Sequence, residues 1–279
     1  MTRAITITSH LEPDQQAHRW DDHVALYEDV FEPLALCFSV AAIEALAPAP
    51  QSRVLDSAAG AGGAALELAR RGHSVTAIDA SLAMVARTKE RARTTGLVIE
   101  ALSMDGQHLA FADRSFDAAI SVLGVILFPD AVCGLSELRR VVRPGGRIAL
   151  VTWTAPEAYE LVGELRAAAL SVLGSLPARP LPAQLRFKEK DAFQALFAAA
   201  GLPSAEIAEV SAELVAPSSD WLAARLAFAP GMAALLEGFG GAKTEVIAAF
   251  RERLETRRGA GRISLAARAY VGSVTVVHP

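Results

Sequence analysis

Apolar positions recur at helical spacing near the start of the chain, at Trp20, Val24, Tyr27, Phe31 and Leu34, and predict an amphipathic helix there. The same register runs from Leu36 to Leu46, and Pro48 and Pro50 end it. Beyond Pro50 the pattern changes to short apolar runs alternating with helical stretches. Residues 54–58, 74–78, 97–102, 116–122 and 147–153 read as strands. The stretches between them supply a helix at 64–71 closed by Gly72, one from the cap Ser81 to about Thr94 stopped by Gly96, and one at 130–142 ending in Pro144-Gly145-Gly146. Strands alternating with helices at this pace predict βαβ units and a parallel sheet.

After Trp153 the alternation loosens. A helix is expected at 156–173, an irregular run at 174–187, and a helix at 189–200 closed by Gly201. A sixth strand is expected at 205–214. Residues 218–258 read as wholly helical, with a cap at Ser218 or Ser219, a restart at Pro230 and a turn in "GFGG". The last part of that stretch carries Val246, Ile247, Phe250 and Leu254 on one stripe, and 267–277 reads as a closing strand.

The chain of 279 residues is long enough for one large α/β domain or two smaller ones. A formal net charge of −4 gives no basic footprint for nucleic acid or an anionic membrane surface. The longest apolar runs, near 34–43 and 118–128, are too short to span a bilayer. No apolar run follows a basic start, so no secretory signal is expected. Cys37 and Cys133 stand singly in apolar segments, read as buried free thiols, and suit a reducing, cytoplasmic compartment. The histidines and cysteines show no metal-ligand spacing, and no metal site is expected.

The chemistry concentrates in "RVLDSAAGAGGAALELA", where a strand ends in Asp56 and a glycine turn opens a helix. Such a turn exposes backbone N–H groups at a helix start and lets a ligand come close. "GAGGAA" also satisfies the loose dinucleotide pattern G-x-G-x-x-A, so an NAD-dependent dehydrogenase is one rival reading. Asp56 before the glycines weighs against it, because a pyrophosphate there would face like charge. Asp79 ends the second strand, where a ribose diol wants an acceptor, and Asp105 follows the third strand, where an exocyclic amine would. S-adenosylmethionine (SAM) carries an ammonium, a ribose diol and an adenine amine, and no phosphate.

At these residues the sequence resembles the class I SAM-dependent methyltransferases, near the ubiquinone/menaquinone C-methyltransferase-like branch. The motifs that carry the resemblance are "VLDSAAGAGG", "VTAIDAS", "SMDGQHLAF", "SFDAAISVLGVILFPD" and "ELRRVVRPGGRIAL". It is close over about 20–153 and looser beyond. It implies an α/β, doubly wound, Rossmann-like seven-stranded sheet with the last strand antiparallel, N-terminal helices and a C-terminal helical lid insertion. Residues 1–50 would form the N-terminal cap, 51–155 the SAM-binding core, and 156–279 the rest of the sheet with the lid at 218–258.

The resemblance also implies roles. Asp56 and the backbone from Ala58 through Gly60 to Gly62 would hold the methionine end and ribose. Asp79 would take both ribose hydroxyls, with Ala80 and Met84 against the adenine. Asp105 would accept from the adenine amine, and the Gly106 N–H would meet a ring nitrogen. The backbone at Ser121 and Val122 would border the methionyl amine and sulfonium, and Tyr27 would fold over the cofactor. Ala58 stands where the family often has glycine.

The expected activity is transfer of a methyl group from SAM to a small, largely apolar metabolite, leaving S-adenosylhomocysteine (SAH). The alternative is a SAM-binding protein that does not transfer methyl. No residue is singled out as a general base. His10, His18, His23 and His108 read first as solvated or loop residues, and Arg186 as a solvated cation that an anionic acceptor could meet. Val125, Ile126 and Phe128 are expected near the acceptor pocket, and Trp153, Phe187, Trp221 and Phe228 are candidates for its other wall. The partners expected are a small-molecule acceptor and, for assembly, a monomer or homodimer.

Overall fold

The computed structural model describes residues 11–176, 181–259 and 261–277. His10 and part of the irregular run at 174–187 lie outside these. The N-terminal stripe does not form one regular helix. It begins as 3₁₀ turns at Pro13–Gln15 and Ala17–Asp22, then continues through α1 (Val24–Leu26), a π-helical turn at Tyr27–Phe31, and α2 (Glu32–Leu46). A π turn adds a residue to the helical repeat, so Tyr27 is turned out of the register of α2. α2 buries Leu34, Phe38, Ala42, Ile43 and Leu46.

Each predicted unit of the core then follows: β1 (Arg53–Ser57), α3 (Gly63–Arg70), β2 (Ser74–Asp79), α4 (Leu82–Thr95), β3 (Ile99–Ser103), β4 (Phe116–Val122), α5 (Ala131–Val141) and β5 (Val142–Trp153). Ser81 caps α4 by accepting from the Met84 N–H, Asp130 caps α5 through the Cys133 N–H, and Gly96 closes α4 in the left-handed conformation. β5 starts earlier than the apolar run suggests, because Val142 already pairs with Phe116 ahead of the Pro-Gly-Gly irregularity.

The C-terminal part adds α6 (Glu160–Leu173), α7 (Lys190–Ala199), β6 (Glu206–Ala216), α8 (Ser219–Ala223), α9 (Pro230–Glu237), α10 (Lys243–Arg258) and β7 (Ile263–Thr275). Residues 218–258 are therefore not wholly helical: turns at 224–229 and around Gly240–Ala242 split them into three helices. The closing strand begins at Ile263, four residues before the expected 267, because its antiparallel ladder with β6 runs from Ile263 to Ser273 opposite Ala216 to Glu206.

The sheet has seven strands in the order β3-β2-β1-β4-β5-β7-β6. β1 to β5 pair in parallel, and β7 is antiparallel to both neighbours. Successive residues of β1 feed opposite faces: Val54 packs with α2, α3 and α6, and Leu55 with α5 and α7. Both faces are covered, as a parallel sheet requires. Strand order reverses between β1 and β4, so a crevice opens at their carboxyl ends, where ligands bind in open α/β sheets.

The two cysteines are not buried as expected. Cys37 is exposed and Cys133 half-buried, because Cys37 falls outside the inward face that Leu34 and Phe38 define on α2. No helix among the described residues is long and apolar enough to cross a membrane.

Candidate active site

The loop after β1 is strained. Ala58 lies at φ 56° and Gly60 at φ 56°, and Gly62 starts α3 at φ 87°. For an alanine the left-handed region costs about 1–2 kcal/mol. Leu123, directly after β4, sits at φ 58° as well, so both strand ends that flank the crevice hold an unfavourable backbone. Ala58→Gly is expected to raise stability by up to about 1 kcal/mol, read as a higher denaturant midpoint at unchanged slope.

Three of the turn's N–H groups are already used. Ala59 donates to the Ile78 carbonyl and Gly62 to the Ala59 carbonyl. Gly60 N–H donates to Asp79 Oδ2 at 2.9 Å, and Ser81 N–H donates to Asp79 Oδ1 at 2.8 Å. Asp79 thus joins the glycine turn to the start of α4. A carboxylate offers about four lone-pair sites, so Asp79 keeps acceptor capacity for a ligand diol beyond the backbone N–H groups that reach it.

One cavity of about 1240 Å³ runs from this turn across the strand ends. Among the expected site residues it is lined by Tyr27, Ala58, Gly60, Asp79, Ala80, Met84, Asp105, Gly106 and Val122. Asp56, Gly62 and Ser121 do not line it. Asp56 is 1% exposed and borders a separate space of about 20 Å³ behind Tyr27 and Ala58. Gly62 packs on Thr88, and Ser121 donates to the Ser57 carbonyl while accepting from the Val125 N–H, tying β4 to β1.

The acids differ in state. Burial, with the charge of Asp79 nearby, pushes Asp56 up to about 7, although the Ala65 N–H works against the rise. Its Oδ2 is buried without a hydrogen-bond partner. Burial also raises Asp79, against the N–H groups of Ser81 and Gly60. For Asp105 burial is outweighed by hydrogen bonds from Gln107 and the contact with His108, and its carboxyl is held below the ordinary value. His108 is exposed and its Nδ1 lies 3.2 Å from Asp105 Oδ2.

Tyr27 stands over the glycine turn, since a Cβ on Gly60 would come within 3.1 Å of its hydroxyl. Its ring begins a continuous aromatic wall. Trp20 meets Tyr27 edge-on at 6.0 Å, Tyr27 meets Phe31 at 5.6 Å, and Phe31 stacks on Phe228 at 5.6 Å. Phe31 also reaches Trp153, which stacks on Tyr159 at 4.8 Å. All of these rings line the cavity.

Of the residues expected at the acceptor wall, Phe128, Trp153 and Phe228 line the cavity, while Phe187 and Trp221 do not. Trp221 lies under the Arg225 guanidinium and Phe187 under that of Arg186. Val125 and Ile126 point into the core, leaving Leu127 and Phe128 at the cavity. Arg186 is not a free solvated cation: it donates to the carbonyls of Ile126, Phe128 and Pro129 and holds the loop after β4 in place.

Sequence reasoning missed the groups that seat the N-terminal segment. Asp21 Oδ1 accepts from Ser81 Oγ at 2.5 Å and from the Ala83 N–H at 3.1 Å, serving the start of α4. Glu28 pairs with Arg87 at 2.6 Å and Glu32 with Arg91 at 2.6 Å, and Arg91 also donates to the Ala61 carbonyl inside the glycine turn. Glu28 and Glu32, like Arg87 and Arg91, are four residues apart, and that matched spacing was the available signal.

A seven-stranded sheet of this order with β7 reversed, opening at the strand ends onto a glycine turn, Asp79 at the end of β2 and Asp105 after β3, has the class I SAM-dependent methyltransferase fold. Residues 54–146, about a third of the chain, match the family model described as methyltransferase domain.

Among curated relatives, the chain is 35% identical over 157 residues to an uncharacterized protein of Mycobacterium tuberculosis, covering 56% of each chain. It is 37% identical over 149 residues to the demethylmenaquinone methyltransferase of Beutenbergia cavernae, covering 52% of this chain and 60% of that one. The chain thus spans little more than half the length of these relatives. Among solved structures, a SAM-dependent methyltransferase from Aquifex aeolicus is similar with TM-score 0.51 and 19% identity, over 67% of this chain and 91% of that one. The 4+2 cyclase SpnF is similar with TM-score 0.58 and 19% identity, over 96% and 98%. At such identity these likenesses show the fold.

Proposed function

We propose that the chain is a SAM-dependent methyltransferase acting on a small, largely apolar acceptor. The observation that carries this reading is the Gly60–Asp79 hydrogen bond. A dinucleotide pyrophosphate would need the turn's N–H groups, and here a carboxylate already takes that of Gly60. The same carboxylate keeps acceptor capacity for a ribose diol. Asp105 and the Gly106 N–H stand beside Met84 and Ala80 on the cavity wall, the chemistry an adenine needs. Asp56, behind Tyr27 and Ala58, would gain its charge beside a cationic methionine end. The residues fit SAM in donor set and in charge.

SAM, when bound, supplies an activated methyl group on a sulfonium. The chain's own part is placement and exclusion of water. Ala58, Gly60 and Val122 shape the floor; Tyr27, Phe31, Trp153 and Phe228 form apolar walls that hold an acceptor against it. The cavity exceeds the 300–1,000 Å³ common for a single ligand, which leaves room for an acceptor beside a cofactor. Residues 11–50 act as a cap over the cofactor, 51–155 as its binding core, and the described residues beyond 155 as the acceptor side, with α9 and not α10 at the cavity. A cytoplasmic site of action belongs to the same proposal.

Incubation with methyl-labelled SAM and a panel of apolar phenols, quinols and amines tests the reading. The expected result is SAH released in proportion to methylated product. Tight SAM binding with no product across the panel would favour the second reading, a SAM-holding protein that does not methylate.

The N-terminal segment and α9 both border the cavity, so cofactor binding should reach them. Hydrogen exchange should slow on adding SAH at 20–34, more weakly at 221–239, and around Asp79 and Asp105. Unchanged exchange at 20–34 and 221–239, with protection at the strand ends, would make them scaffold and not lid.

A further inference from the structure

The half of the cavity away from the strand ends contains a carboxylate that the cofactor does not use. The charged residues lining the cavity, among the described residues, are Glu12, Asp14, Asp79, Asp105 and Arg166. Asp79 and Asp105 belong to the proposed cofactor side. Glu12 Oε2 accepts from the Ala183 N–H at 2.9 Å. Asp14 is held from two sides: its main-chain carbonyl accepts from the Trp20 indole N–H at 3.0 Å, and its Oδ1 accepts from the Gly231 N–H at 2.6 Å.

No donor among the described residues reaches Asp14 Oδ2. The seat depends on a glycine, because a Cβ at position 231 would lie 2.2 Å from that oxygen. Leu11, Trp20, Met232 and Leu235 line the same cavity. Burial pushes Asp14 up to about 6, opposed by the Gly231 N–H and His23 and reinforced by Glu12. Asp14 is half-buried at the cavity wall, so a ligand that brings a donor to Oδ2 would take the place of solvent there.

We propose that Asp14 Oδ2 recognises the methyl acceptor, and that the acceptor is an apolar molecule bearing a hydroxyl or amine donor and not a carboxylate or phosphate. This rests on the proposed methyltransferase reading for the word acceptor. The charge balance supports it independently, since of the charged residues that line the cavity on this side an anionic ligand would meet two carboxylates, Glu12 and Asp14, and one guanidinium, Arg166.

Three probes of one shape test the proposal: 2-(aminomethyl)naphthalene, 2-(hydroxymethyl)naphthalene and 2-naphthoate, titrated into the SAH-loaded protein. The amine and the alcohol should bind at least tenfold more tightly than the carboxylate. In Asp14→Asn, which keeps the size and an oxygen for Gly231, the preference of amine over carboxylate should shrink at least tenfold while SAH affinity stays the same. Should that variant not fold, the carboxyl carbon resonance of Asp14 in the unaltered protein should shift on adding the amine. Equal binding of the carboxylate, no binding of any probe, an unchanged preference in Asp14→Asn, or an unmoved Asp14 resonance would each overturn it. SAH binding is measured first. If SAH does not bind, the cofactor reading fails, and the same trio titrated into the free chain still decides the preference.

Discussion

Replacing Asp79 by alanine is expected to lower the affinity for SAM at least tenfold. The carboxylate would accept two ribose hydroxyls through its remaining lone pairs, and hydrogen bonds to a charged group contribute about 1.5–3 kcal/mol each. Loss of one already corresponds to about a factor of ten. The variant also frees the N–H groups of Gly60 and Ser81, which loosens the turn itself and adds to the loss. Titration calorimetry on the folded variant measures this. Unchanged SAM affinity would remove Asp79 from the cofactor site.

The affinity for SAM is also expected to rise with pH between about 6 and 7.5. Asp56 is pushed up to about 7 by burial and by Asp79, so near neutrality the free protein holds it partly protonated. A cationic ligand favours the charged carboxylate and lowers its pKa in the complex. Binding therefore releases a proton wherever Asp56 is protonated in the free protein. Affinity is full above the free-protein pKa and falls as pH drops through it, by up to about tenfold per unit for one coupled proton. Asp79, raised by burial, acts in the same direction. Calorimetry in two buffers of different ionisation enthalpy should show proton release below pH 7, and Asp56→Asn should flatten the dependence. An affinity that is flat or falls with rising pH would contradict this reading of the acids.

The local signals in the sequence were strong where the structure is local. β4 has its expected bounds, Ser81 and Asp130 cap the helices they precede, and Gly96 closes α4. The acids at the strand ends were legible because a strand's carboxyl end in a parallel sheet is a defined place. Segments that pair only over long distances were not legible. The early start of β7 is set by its partner β6 and not by its own apolar run. The π turn at Tyr27–Phe31 leaves the spacing of apolar residues helical, so periodicity cannot reveal it.

The same limit applies to the site. Asp56 was expected at the ligand; it stands behind Ala58 and Tyr27 because the φ 56° turn at Ala58 carries the chain across it. Asp14 and Asp21 hold backbone N–H groups of segments 217 and 62 residues away, and nothing in their own neighbourhood announces those partners. Cys37 is outward because helix rotation, not the apolar character of the segment, decides which side is buried.

Native mass spectrometry of the protein mixed with equal amounts of SAM and NADH tests the central claim most directly. One SAM per chain, retained by the unaltered protein and lost in Asp79→Ala, is the expected result. Retention of NADH, or of neither ligand, would contradict a SAM site at the strand ends.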